Sequence, residues 1–153
     1  MGAEARFGTI TGFAQISEKL VVVADHSNLC VRMIDRTTNT ISVFSGQCGS
    51  YGYQDGRPGQ FSYIRSVVID KRDQNRLLIT AYWNTALRTV NVMSQVVGTF
   101  VMSDSLQFII GITQEEKSGD LYVTADHALY RITYTQRTVS LISGSPGSNY
   151  GYR

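Results

Sequence analysis

Apolar positions along this chain come in short runs separated by clusters of Gly, Ser, Asn, Asp and Lys. The runs are rich in Val, Ile, Thr, Tyr and Phe, which is strand composition. Three segments repeat one order. Each opens on a phenylalanine and a short apolar stretch: Phe7 to Ala14, Phe61 to Asp70, and Phe108 to Thr113. A polar turn follows, at Ser17 to Lys19, Lys71 to Arg76 and Gln114 to Asp120. Next comes a hydrophobic run ending in alanine, at Leu20 to Ala24, Leu77 to Ala81 and Leu121 to Ala125. A polar loop then leads to an alternating stretch that carries an arginine: Leu29 to Asp35, Ala86 to Val92, and Ala128 to Tyr134. Hairpin-length turns, at Arg36 to Asn39, around Met93 and Ser94, and at Thr135 to Arg137, precede a last strand at Thr40 to Phe44, Gln95 to Val101 and Thr138 to Ile142. No long segment keeps apolar residues three and four apart between helix caps, so no substantial helix is predicted.

The predicted unit is four antiparallel strands. Its leading phenylalanines recur roughly every 50 residues, the period of propeller blades rather than of horseshoe or helical-pair repeats. The expected fold class is all-β, a propeller with three four-stranded antiparallel blades in the chain. Blade 1 falls at about 7–46, blade 2 at about 61–103 and blade 3 at about 107–144, with linkers 47–60 and 145–153. Three blades cannot close a ring, because each terminal blade leaves an apolar sheet face uncovered. The stretch from Gly52 to Phe61 is matched in length by Gly151 to Arg153 of one copy continued through Met1 to Phe7 of another. The expected assembly is therefore a six-bladed ring, made either by a twofold homodimer or within a longer parent chain of which this is half.

The segment Val23 to Asp35 (VADHSNLCVRMID), continuing through Ile41 to Gly56 (ISVFSGQCGSYGYQDG), resembles the NHL repeat of six-bladed propellers. It carries in order an Ala-Asp pair, an Asn, an Arg, a hairpin, a strand ending in Gly, and a Gly-rich Asp-Gly segment leading to Gln60-Phe61. In blade 2 Tyr82 replaces the Asp. In blade 3 the match at Ala125-Asp126-His127 is followed by a shortened loop before Arg131. The resemblance implies architecture more than activity, since members of this family bind proteins, RNA or small substrates.

Cys30 and Cys48 are the two cysteines. Folding the hairpin about residue 38 or 39 brings them nearly opposite one another, so a disulfide is geometrically reasonable. A bridge implies an oxidising compartment and an extracellular or cell-surface ectodomain; the alternative is two unpaired cysteines buried in a cytosolic propeller. His26 and His127 each follow an Ala-Asp pair and could converge on a ring axis, with Asp25 and Asp126, to hold a metal. Two histidines are too few for a closed zinc site, and the reading preferred here is that the aspartates accept hydrogen bonds from backbone N–H groups of the following turn. Arg32, Arg88 and Arg131 recur on third strands, where pairing with the repeated Asp is the expected role. Tyr51, Tyr53, Tyr150 and Tyr152 in the linkers and Tyr82 and Trp83 in the blade 2 loop are the candidate contact residues, because aromatics offer large area with few rotors to freeze. Packing between blades is the competing role for the linker tyrosines.

Charge and catalytic motifs narrow the function further. The net charge of +2, with 17% charged residues, provides no field that would gather nucleic acid. No apolar run reaches the roughly 18 to 20 residues of a bilayer span, and Met1 to Phe7 holds no apolar stretch of signal-peptide length, so any secretion signal lies outside this sequence or never existed. No nucleophile elbow or His-Glu-X-X-His motif is present; Glu115 and Glu116 sit in a polar turn, and the Gly-rich segments lack the phosphate-loop pattern. The expectation is a non-enzymatic recognition module that binds a protein or glycan through rim loops, without cofactor, nucleic acid or membrane insertion. The alternative is a metal-dependent lyase or hydrolase with a divalent ion on the ring axis.

Overall fold

The computed structural model of the chain describes residues 6–147. Twelve strands form three four-stranded antiparallel sheets, each in sequence order. Blade 1 contains β1 (Ile10–Gln15), β2 (Leu20–Asp25), β3 (Cys30–Asp35) and β4 (Thr40–Ser45). Blade 2 contains β5 (Tyr63–Ile69), β6 (Arg76–Tyr82), β7 (Ala86–Asn91) and β8 (Val97–Met102). Blade 3 contains β9 (Gly111–Gln114), β10 (Leu121–Ala125), β11 (Ala128–Ile132) and β12 (Val139–Gly144). The described residues include no helix. This is a partial β-propeller.

The turn between the last two strands is the same device in every blade. It closes on a left-handed residue, Asn39, Gln95 or Arg137, with φ of 53°, 60° and 59°. A side chain at its entrance accepts from the turn backbone: Asp35 Oδ1 takes Thr37 N–H at 2.7 Å, Asn91 Oδ1 takes Ser94 N–H at 2.7 Å, and Thr133 Oγ1 takes Thr138 N–H at 3.1 Å. Those local bonds fix the register of each outer hairpin. Gln95, expected as the start of a strand, is therefore the last residue of a turn.

The core lies between sheets. One cluster joins Ala14, Val22, Ala24, Val31 and Phe44 of blade 1 to Ile64, Val67, Leu77, Ile79, Val90 and Val97 of blade 2. A second joins Leu78, Leu87 and Phe100 of blade 2 to Leu121, Val123, Tyr130 and Ile132 of blade 3. Blade 2 is thus covered on both faces, which is why β6 is buried along nearly its whole length (Leu77 to Ala81). First strands of successive sheets lie side by side, tied by Thr11 Oγ1 donating to the Ile64 carbonyl at 2.9 Å. The disulfide between Cys30 and Cys48, with Cα atoms 5.0 Å apart, pins the start of β3 to the linker after β4.

A polar clamp completes the seam between blades 2 and 3. The buried Asp70 carboxylate accepts from Arg76 Nε at 2.9 Å, from the Tyr134 hydroxyl at 2.9 Å and from Gln114 Nε2 at 3.0 Å. Burial and the bond to Asp70 push the Tyr134 hydroxyl above the ordinary tyrosine range. Asp70→Ala would remove the acceptor these donors share, leaving Gln114 its bond to the Gly119 carbonyl and Arg76 its pair with Asp73, and we expect it to cost about 2 kcal/mol in urea unfolding, the scale for lost hydrogen bonds to a charged group. A change below about 1 kcal/mol would show that the seam is held by apolar packing alone.

Several sequence expectations need correcting. Phe108 and Phe7 precede their strands: Phe108 has φ 53°, outside the strand region, and β9 begins only at Gly111. Arg131 is not the third member of the arginine series. Arg32 pairs with Val23, Arg88 with Ile79, and Tyr130 with Val123, so Tyr130 takes that place in blade 3. The cause is turn length: β10 and β11 join through Asp126-His127 alone, whereas His26 to Leu29 join β2 and β3. The same shift separates the histidines, which do not occupy equivalent positions, and makes Ala81 and Ala125 the counterparts of Asp25.

Candidate functional site

The loops between second and third strands and the linkers entering each blade share one rim. His26, Tyr51, Tyr82 and Trp83 all lie there, as does His127. Two aromatic groups form on it. Tyr63 packs on His26 at 5.1 Å and on Tyr51 at 6.0 Å between centroids. Trp83 and Phe108 meet edge to face at 4.8 Å, with Tyr82 4.8 Å from Phe108. Tyr63 and Tyr82 are cross-strand partners, so the two groups are contiguous.

Backbone strain and stranded polar atoms coincide with this surface. Trp83 holds φ 66°, an unusual conformation for a bulky residue, and is 59% exposed. The Asn84 side chain is 7% exposed, yet its Nδ2 has no partner. It lines, with Trp83, Thr85, Gln107 and Phe108, a pocket of about 120 Å³. Beside it the Arg65 guanidinium sits 4.9 Å over the Tyr82 ring, and its Nε is likewise buried without a partner. Both unpartnered groups are donors, so this rim lacks acceptors. Sequence reasoning missed Tyr63, Arg65, Asn84 and Phe108. Phe108 reads in sequence as the opening residue of a strand, and nothing local distinguishes the others from ordinary sheet residues.

Tyr53 is engaged elsewhere. Its ring stacks on the Arg88 guanidinium at 4.3 Å, and its hydroxyl lies 3.2 Å from Thr99 Oγ1. Tyr150 and Tyr152 fall outside the described residues. The histidines bring no ligand set together: His26 Nδ1 lies 3.0 Å from the Ile64 carbonyl, and no group of three or more His, Cys, Asp or Glu side chains is placed to hold a metal among the described residues. Asp25 accepts from the Gly8 and Asn28 N–H groups at 3.1 and 3.3 Å. Asp126 takes Gly147 N–H at 2.7 Å, a donor from the following linker rather than from the next turn.

The arginines also differ from the expected pairing with the Ala-Asp aspartates. Arg88, wholly buried, pairs with Asp55 of the preceding linker at 2.6 Å and donates to the Gln54 and Gln60 carbonyls, both at 3.2 Å. Arg131 pairs with Asp120, whose carboxyl is held below the usual range by Tyr134 N–H and then by Arg131. Arg32 lies 5.9 Å from the Phe7 ring, and its buried Nε has no partner.

No family model matches this chain, and no curated protein does. Solved structures do. The structure described as a nidogen/laminin complex matches at TM-score 0.66 and 11% identity, over 88% of this chain and 48% of that one. An auxiliary nutrient binding protein from Bacteroides thetaiotaomicron matches at TM-score 0.69 and 14% identity, over 90% and 31%. Virginiamycin B lyase from Staphylococcus aureus matches at TM-score 0.56 and 14% identity, over 86% and 40%. At these identities the likeness concerns the fold, and it places the chain among the β-propellers. The chain spans about half or less of each of these structures.

Proposed function

We propose that this chain is an NHL-type half-propeller, completed to six blades by a second copy, that acts outside the cell as a non-enzymatic recognition module. Its partner is a protein, gripped by the aromatic rim around Trp83. The observation that carries this reading is the join of an exposed, strained Trp83 to two buried donors, Asn84 Nδ2 and Arg65 Nε, that lack acceptors. A protein loop presenting carbonyls or a carboxylate supplies what those donors lack, while its apolar side chains cover Trp83 and Phe108. A glycan or small ligand fits less well, because the pocket of about 120 Å³ falls below the roughly 300 Å³ where ligand pockets begin. The disulfide supports an oxidising compartment.

An array of immobilised ectodomains and a glycan array, each probed with the wild type and with Trp83→Ala, test the proposal. We expect at least one ectodomain to bind the wild type and to lose about 2 kcal/mol or more of affinity with Trp83→Ala, the scale of an interface hot spot. Binding confined to glycans, or indifferent to Trp83, would overturn it. A stoichiometric divalent ion in the purified protein would favour a propeller lyase or hydrolase instead.

A further inference from the structure

The two open sheet faces of the chain complement each other. At the seam between blades 1 and 2, Val67 of β5 shares a core with Ala24 and Val31. Its backbone nitrogen lies so close to Gly12 that an added Cβ there would come within 3.2 Å. By register Phe13 is the counterpart of Val67 in blade 1: it pairs with Val23, opposite Arg32, as Val67 pairs with Ile79, opposite Arg88. No core cluster among the described residues joins that face to another sheet, and Phe13 is 74% exposed. On blade 3 the counterparts of Ala24 and Val31 are Thr124 and Leu129. They line, with Ile110 and Ser143, a hollow of about 500 Å³ on the outer face. One face carries a protruding ring where the other carries a hole.

The linker that covers Arg88 has a partial repeat in the sequence after β12. Gly46 and Gly49, with φ of 88° and 77°, begin the linker whose Tyr53 and Asp55 enclose Arg88. Gly144 and Gly147, with φ of 102° and 73°, repeat that pair of left-handed glycines after β12. The sequence beyond, Tyr150-Gly151-Tyr152, repeats Tyr51-Gly52-Tyr53. Arg32 has half of what Arg88 has: Phe7 stands 5.9 Å from it as Phe61 stands 5.7 Å from Arg88, but its 8% exposed guanidinium lacks an acceptor at Nε.

We propose that the Phe13–Arg32 face of blade 1 is a docking surface for blade 3 of a second copy. Phe13 seats in the hollow beside Thr124 and Leu129. This rests on the half-ring reading above and supplies the contacts that close the ring; rim binding through Trp83 is independent of it.

Sedimentation equilibrium of the whole chain at about 10 μM tests the proposal, because a specific seam of this kind supports a dimer at that concentration. The wild type is expected at twice its 17.0 kDa mass. Phe13→Glu and Thr124→Trp, both at exposed positions, are expected to be monomers with unchanged circular dichroism. A monomeric wild type overturns the half-ring reading and the docking surface together. A dimer that survives both Phe13→Glu and Thr124→Trp overturns the docking surface while the half-ring reading stands.

Discussion

Arg88→Met is expected to lower stability by about 3 kcal/mol, the upper scale for losing hydrogen bonds from a buried charged group, since Asp55 itself is half exposed. That corresponds to roughly 6 to 12 °C of melting temperature for a chain of this size. The change removes the only cation paired with Asp55 among the described residues, takes the donor from the Gln60 carbonyl, and leaves the Gln54 carbonyl with only the Gln60 N–H at 2.9 Å. It also removes the surface on which Tyr53 stacks. The linker between blades 1 and 2 then loses its anchor. Arg32→Met is the control. At the equivalent register, in the Phe13→Glu background where blade 1 faces solvent, it should change stability by less than about 1 kcal/mol, because a buried Nε without a partner contributes nothing favourable. Thermal melts of the two variants decide the matter. Equal losses would mean that the arginines act only through the packing of their stems.

Removing the disulfide is the second large effect. Cys30 and Cys48 are 18 residues apart, and closing a loop of that size restricts the unfolded chain by about 3 kcal/mol. The bridge also joins β3, the buried strand carrying Arg32, to the linker that leads to Tyr53 and Asp55. In urea unfolding, the Cys30→Ala, Cys48→Ala double variant is therefore expected to lose about 3 kcal/mol against the oxidised protein. A loss below about 1 kcal/mol would mean that the polar anchor at Arg88 already holds the linker in place.

The candidate site was only partly visible before folding. Trp83 and Tyr82 stood out as aromatics in a loop, and Tyr51 as an aromatic in a Gly-rich linker. Their grouping depends on Tyr63 facing Tyr82 across two strands and on Phe108 leaving the strand path to meet Trp83. Asn84 and Arg65 are unremarkable in sequence. They matter because their donors are buried without acceptors, a property of the packed rim and not of any local pattern.

Strand chemistry, the blade period and the reach between Cys30 and Cys48 follow from the order of residues alone. Alternation and turn residues act over only a few positions, and the chain could hardly do anything else with them. Register did not follow. The shortened loop before Arg131 is visible in sequence, but only the pairing of the strands shows that it sets Tyr130, not Arg131, beside Val123. Nor could sequence say that Arg88 would find Asp55 while the Nε of Arg32 was buried without an acceptor. A buried cation takes its partner from whichever segment packs across it, and packing is decided only when the sheets are stacked.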